Sequence, residues 1–366
     1  SRVIDRGTAT RTPSEIAEEL DSRGITLTIT VTRHLLSLVC TCLADDFEPV
    51  FRLLGDIVMS PSLPDDEIAT RKKEIITAIR QDDDNPGVRA VEALMARLYP
   101  NGHPYGRRTK GSIDVVESLT RERLLRLHAE RFSPTGLSAV VVGDVTTDRA
   151  QELAERIFGS WRTPPPLPIV LTPPVPAARR ERLVIQMMNK AQADIAYGFT
   201  TIRRADPGYY ALLLLNNAFG QYALAGRLGT SIRERQGMAY YVSSTIDPNV
   251  IEGPLVIRAG VNPANVDRAV SSIDAEVASL VRDGLTSKEL DDSRRYLVGA
   301  MPRALETNAA IAAFLQQVEF FELGLNYDVR FPDLLRAVTL DETNQMARRL
   351  LDPDRATVVI AGPYQG

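Results

Sequence analysis

Apolar and polar residues change period several times along the chain, and each change marks an element. Between Ile25 and Val31 threonine alternates strictly with aliphatic residues, which predicts a half-buried strand, and His34–Leu43 reads as a second strand pairing back onto it. Helical periodicity predicts a helix over Ser14–Asp21 capped by Ser14, then helices over Phe47–Met59, Asp65–Gln81 with Pro64 at its start, Val88–Leu98 and Arg121–Arg131. A strand at Val140–Val142 and one more helix close the first half. The second half opens with strands at Leu183–Met188 and Asp194–Phe199 and a helix over Tyr209–Phe219. Runs of this kind predict an α+β fold, with mainly antiparallel sheets packed against helices.

The two halves repeat each other. Thr120, Pro134, the run Val140-Val141-Val142 and Gly143 recur as Thr339, Pro353, Val358-Val359-Ile360 and Gly362, with equal intervals from Thr to Pro and from Pro to Gly. Upstream, Leu63, Glu67 and Ala78 return as Leu285, Glu289 and Ala300 at identical internal spacing. Several shared intervals in one order imply a duplicated globular domain, not a solenoid. Between the copies, Trp161 to Pro176 holds seven prolines, a density that forbids helix and favours an extended connector. We therefore expect a first domain over 1–160, a linker over 161–181 and a second domain over 182–366. Aligning Gly24 with Gly237 leaves the first two strands and first helix of the second copy without counterparts, so about 40 residues are expected to be missing ahead of Ser1.

Charge and composition narrow the function. The 366 residues carry a net charge of −4, and no basic stripe is interleaved with aromatics, which sets nucleic-acid partners aside. The longest apolar run, Tyr209–Leu215, is too short to cross a bilayer, and Ser1–Thr8 lacks the apolar centre of a signal peptide. Compartment stays open, periplasm or cytoplasm of a bacterium. Cys40 and Cys42 sit two apart on a strand and point to one face, a poor geometry for a bridge.

Four short motifs then carry a resemblance. Arg6-Gly7-Thr8, Ser14-Glu15-Ile16-Ala17-Glu18-Glu19-Leu20, His103-Pro104-Tyr105-Gly106 and Arg233-Glu234-x-x-Gly237-Met238-Ala239-Tyr240 together resemble the insulinase (pitrilysin) family, in its bacterial, mitochondrial-processing-peptidase-like branch. The resemblance implies two homologous metallopeptidase-like domains. Active members hold zinc through an H-x-x-E-H helix ending just before the Gly-Thr pair and through a distant glutamate. Carried over from Gly7-Thr8, the second histidine falls on Arg2 and the base on Ser1, while the first histidine lies ahead of Ser1. The distant glutamate falls on Ala78, 76 positions after Arg2, and a supporting carboxylate falls on Arg71.

Alanine has no donor atom, and arginine stays protonated without a lone pair for a cation. A guanidinium about 4 Å from a dication adds several kcal/mol of repulsion even at an effective dielectric of about 20. The expectation is therefore no zinc in this chain, with Arg2 and Ala78 as lost metal positions. His34, His103 and His128 have no ligand spacing among them.

The resemblance also implies that an arginine and a tyrosine seven residues apart in the second domain hold the substrate's backbone carbonyl, and these match Arg233 and Tyr240. The plainer alternative makes Arg233 a surface residue paired with Glu234 or Asp247 and Tyr240 a packing residue on a strand. Thr26, Thr28 and Thr30 mark an edge to which an extended peptide could add, or an edge blunted by polar side chains. Asp82-Asp83-Asp84 lacks the glycine and glutamate spacing of a calcium loop and reads as a helix-terminating run. His103 sits in a shaped loop with no partner expected.

Three roles follow from the resemblance. The first is a non-catalytic subunit that pairs with a zinc-bearing H-x-x-E-H homologue, as a heterodimer or with a second copy as a homodimer, and helps hold peptide or unfolded polypeptide. In that arrangement the zinc belongs to the partner. The alternatives are a scaffold role in a larger assembly, or a zinc metalloendopeptidase whose motif lies ahead of Ser1.

Overall fold

The computed structural model describes residues 2–221 and 226–366. Two compact units emerge, one of residues 1–79, 109–170 and 304–325, the other of residues 80–108, 171–303 and 326–366. In chain order the helices are α1 (Pro13–Ser22), α2 (Phe47–Met59), α3 (Asp65–Asp83), α4 (Pro86–Leu98), α5 (Ile113–Ser118), α6 (Arg121–Arg131), α7 (Thr147–Phe158), α8 (Tyr209–Asn216), α9 (Val266–Asp283), α10 (Ser287–Arg303), α11 (Asn308–Phe320), α12 (Tyr327–Ala337) and α13 (Leu340–Leu350). The strands are β1 (Thr26–Val31), β2 (Leu36–Thr41), β3 (Glu181–Gln186), β4 (Ala193–Thr200), β5 (Ala239–Ile246), β6 (Pro254–Val261) and β7 (Thr357–Gly362). The fold is α+β, as the periodicity indicates.

In the first unit β1 and β2 form an antiparallel hairpin, Thr26 opposite Thr41 and Val31 opposite Leu36. Its half-buried Leu27, Ile29 and Leu38 meet Ile16 and Leu20 of α1 and Leu53 and Ile57 of α2. The cap of α1 is Thr12, not Ser14: its hydroxyl accepts from the Glu15 backbone while the Glu15 carboxylate reaches back to the Thr12 N–H, closing a capping box two residues earlier than the sequence indicates. Gly7 adopts φ +108, and a Cβ there would lie 2.4 Å from Ser62 Oγ, so the Arg6-Gly7-Thr8 motif needs its glycine for the backbone alone. On β2, Ser37 donates to Gln316 of α11 at 2.8 Å.

The second unit is built on a five-stranded sheet in the order β3-β7-β4-β6-β5, antiparallel except for the β3–β7 pair. One face packs on α8, α9 and α13 through Leu212, Ile273, Met346 and the inward side chains of β4, β6 and β7. The other face is covered by α4, whose Leu94 and Leu98 meet Ala196, Val256 and Val359. Gly198 permits that approach, since a Cβ on it would stand 2.9 Å from Leu94. With both faces covered, β4 and β7 are buried along their whole length.

The repeat is legible in backbone detail. Thr120 and Thr339 are N-caps of α6 and α13, and Pro134 and Pro353 each open a 3₁₀ turn. Gly143 and Gly362 sit at φ 150° and 142°, and Gly24 and Gly237 at 63° and 62°. Yet α4 and α11, which occupy equivalent places in the two copies, are exchanged: α4 is a helix of the second unit and α11 of the first.

The expected strand at Val140–Val142 does not form. Its counterpart β7 is hydrogen-bonded by β3 on one edge and β4 on the other, and among the described residues the first unit has no counterpart of either. A strand without a neighbour has no ladder to join.

Candidate substrate-contact site

Arg233 and Tyr240 both lie in the second unit, flanked by residues held tightly in place. Gly229–Arg235 is a π-helical turn whose inner side is anchored by fully buried Leu228 and Ile232. Just before it, Arg227 Nε donates to Glu289 Oε1 at 2.5 Å and Nη2 to Glu289 Oε2 at 2.8 Å, while Nη2 also reaches the Gly284 carbonyl at 2.6 Å. Anchored this way, the turn sends Arg233, Glu234 and Arg235 into solvent.

Gly237, with φ 62°, turns the chain into β5. Met238 and Ala239 are buried, and Tyr240 is 64% exposed. The reason is a β-bulge: Ala239 stands opposite Val261 and Tyr241 opposite Gly260, so Tyr240 is the extra residue and has no partner on β6. Tyr241 is fixed instead. Its ring lies over Gly260, where a Cβ would come within 2.4 Å of it, and its hydroxyl donates a short hydrogen bond to buried Asp194, which also accepts from Gln192 at 3.2 Å. Burial, and then the donation to the Asp194 carboxylate, pushes the Tyr241 phenol up to about 12. A bulge whose next residue is tied across two strands is a rigid platform for the one that projects.

Among the described residues neither the Arg233 nor the Tyr240 side chain makes a hydrogen bond, ion pair or ring contact. Pairing of Arg233 with Glu234 or Asp247 is not observed, and Tyr240 is not packed. The equivalent positions of the first copy, Leu20 and Leu27, pack against that unit's core instead. Sequence reasoning missed Tyr241, Asp194 and Gln192. A tyrosine pair at the start of one strand and a lone aspartate near the start of an otherwise apolar one were the available signals.

The remaining expected residues are placed as follows. Thr26, Thr28 and Thr30 are exposed on the face of β1 away from the core, and among the described residues the outer edge of β1 is unpaired. Arg2 is exposed in a turn, and Ser1 lies outside the described residues. On α3, Arg71 grips Glu74 with contacts of 2.8 and 2.7 Å and lies 3.7 Å from Glu67, and Ala78 is half-buried. These positions offer a methyl group and guanidinium groups, which do not fit a zinc ion. No group of three His, Cys, Asp or Glu able to hold a metal occurs among the described residues.

His103 does have partners: Nδ1 accepts from the Tyr105 N–H at 3.0 Å, leaving Nε2–H to donate to the Thr172 carbonyl at 3.0 Å. His128 contacts the Val58 carbonyl at 2.7 Å. Asp83 and Asp84 are ion-paired, with Arg108 at 3.0 Å and Lys190 at 2.6 Å. Cys40 and Cys42 are free thiols. No helix among the described residues is long and apolar enough to cross a membrane.

An α+β architecture is thus joined here to a projecting Arg/Tyr pair, and comparison with known proteins defines the class. Residues 2–111 match the insulinase family (peptidase family M16), and residues 118–297 match the peptidase M16 inactive domain. The chain belongs to the insulinase (M16) family. It is 26% identical over 99% of its length to an uncharacterized zinc protease of Mycobacterium leprae, 81% of which is covered, and 24% identical over 97% to one of Bacillus subtilis, 85% of which is covered. Among solved structures it resembles a peptidase M16 inactive domain from Pseudomonas fluorescens (TM-score 0.91, 25% identity, covering 99% of this chain and 86% of that one). The periplasmic protease PqqL of Escherichia coli shares the fold (TM-score 0.80, 18% identity, covering 99% of this chain and 40% of that one).

Proposed function

We propose that this chain is a non-catalytic M16 subunit that holds the backbone of a peptide or unfolded polypeptide with Arg233 and Tyr240, while a zinc-bearing H-x-x-E-H homologue paired with it supplies metal and base. The observation that carries this reading is the pair itself. Exposed and unpartnered, both side chains offer directional N–H and O–H donors to a carbonyl. The edge of β1, with Thr26, Thr28 and Thr30 beside it, gives an extended peptide a place to add.

Arg2, Arg71 and Ala78 support the absence of zinc from this chain, because none can donate to a dication and Arg71 is already committed to Glu74. The test is co-expression with an H-x-x-E-H homologue and measurement of peptide cleavage. Loss of about 100-fold or more in turnover is expected for Arg233→Ala and Tyr240→Phe. Unchanged turnover in both would remove the reading. A second reading, in which the chain is itself a zinc peptidase, draws on the zinc protease names of its curated relatives. Stoichiometric zinc in the purified chain would favour it over the first.

A further inference from the structure

Beyond Val170 the proline-rich connector belongs to the second unit, and its burial follows a period of three. Leu171, Pro174, Ala177 and Arg180 are half-buried, while the pairs between them, Thr172 and Pro173, Val175 and Pro176, Ala178 and Arg179, are exposed. Among the described residues no N–H of this stretch takes part in a backbone hydrogen bond. Three residues per turn without internal hydrogen bonds is the polyproline II helix, whose φ proline sets in advance.

Four contacts hold the rod in place. Leu171 packs on the apolar cluster between α4 and the sheet, and His103 donates to the Thr172 carbonyl at 3.0 Å. Arg355 Nε donates to the Ala177 carbonyl at 3.1 Å. Arg180 grips Asp274 with contacts of 2.8 and 3.0 Å and donates to the Pro353 carbonyl at 2.8 Å. One ridge is thus docked and two are open.

We propose that the outer side of this rod, Thr172-Pro173, Val175-Pro176 and Arg179, is a docking surface for a protein domain that reads polyproline II through an aromatic groove with an acidic rim. Pro173, Pro176 and Arg179 recur every third residue and so line one ridge, about 9 Å apart at a rise of about 3.1 Å per residue. Each residue-proline pair is an apolar knob for the space between aromatic rings, and the prolines leave the ridge with carbonyl acceptors only. Arg179, which makes no hydrogen bond or ion pair among the described residues, adds one cation in line for a carboxylate at the groove's end. Val175 is 83% exposed, an apolar side chain that such a groove would cover. Because the rod is already ordered, capture costs little conformational entropy. A single cation among apolar residues gives an anionic membrane or a nucleic acid too little charge to hold. Neither Arg233 nor Tyr240 takes part, so this surface stands or falls apart from the peptide reading.

The probe is a purified SH3 domain, which carries a groove of this kind, titrated into the intact protein and read by calorimetry. One-to-one binding is expected. Pro176→Ala and Arg179→Glu, both at exposed positions, should weaken it by about ten-fold or more in proteins of unchanged circular dichroism, while Pro174→Ala, on the docked ridge, should leave it within about two-fold. No binding at millimolar probe overturns the proposal. So does an equal loss from Pro174→Ala, which would make proline content and not the ridge the cause. Self-association of the protein that Arg179→Glu abolishes would also overturn it, because the occupant would then be a second copy of the chain.

Discussion

Glu289 offers a test of what fixes the turn beneath Arg233. Its carboxylate accepts two guanidinium hydrogen bonds from Arg227, at 2.5 and 2.8 Å, and two from the Thr286 N–H and hydroxyl, at 2.7 and 2.8 Å. Glu289→Gln keeps the shape and removes the charge. Each bond to a charged group contributes about 1.5–3 kcal/mol, but the side chain is 30% exposed and screening by solvent lowers the sum, so we expect a loss of about 2 kcal/mol. For a unit of this size that is about 4–8 °C in Tm, readable by calorimetry.

The pH dependence makes the prediction specific. Burial raises the Glu289 carboxyl, yet the Arg227 fork and the Thr286 donors outweigh it and hold the group below the ordinary carboxylate range. Stability from a lowered carboxyl is fully present above its unfolded value, about 4.3, and fades as pH falls through the lower folded one. Wild type and variant should therefore differ most near neutrality and converge in acid. Equal Tm values at neutral pH, or a gap that widens as pH falls, would refute the assignment.

Arg233→Ala and Tyr240→Ala should each change stability by less than about 0.5 kcal/mol in urea unfolding, since neither side chain has a partner; a larger loss would reassign them to the scaffold. Gly253→Ala places a Cβ 1.7 Å from the Asp247 carbonyl oxygen and should lower the urea midpoint by the equivalent of about 2 kcal/mol or more, and a wild-type midpoint would contradict the close approach. Burial pushes the Cys40 thiol up to about 11, and Cys42 is raised for the same cause, so native alkylation at mildly alkaline pH should be slow at both. Alkylation of Cys40 at the rate of an unfolded thiol would show that burial wrong.

The β1–β2 hairpin and the helices at Phe47–Met59 and Arg121–Arg131 were legible in the sequence because period and capping residues are local signals. The Arg/Tyr pair was legible only through the motif around it. What holds Tyr240 out was not: the bulge exists because Tyr241 is tied to Asp194 across β6, a contact between residues far apart in the chain. Nor did the apolar run Val140–Val142 reveal its fate. Hydrophobicity selects a residue for burial but supplies no strand to pair with, and the identical flanks at Val358–Ile360 became β7 only where β3 and β4 stood on either side.

By itself the sequence determined that the domain is written twice and where the β1–β2 hairpin and most of the helices run, since these depend on residue type and spacing alone. Tertiary structure decided that α4 and α11 trade units, that His103 is locked between Tyr105 and Thr172, and that Tyr240 projects while Tyr241 is pinned. Those outcomes depend on which surfaces meet, and a hydrogen bond or an apolar contact between distant segments leaves no period in the chain to read.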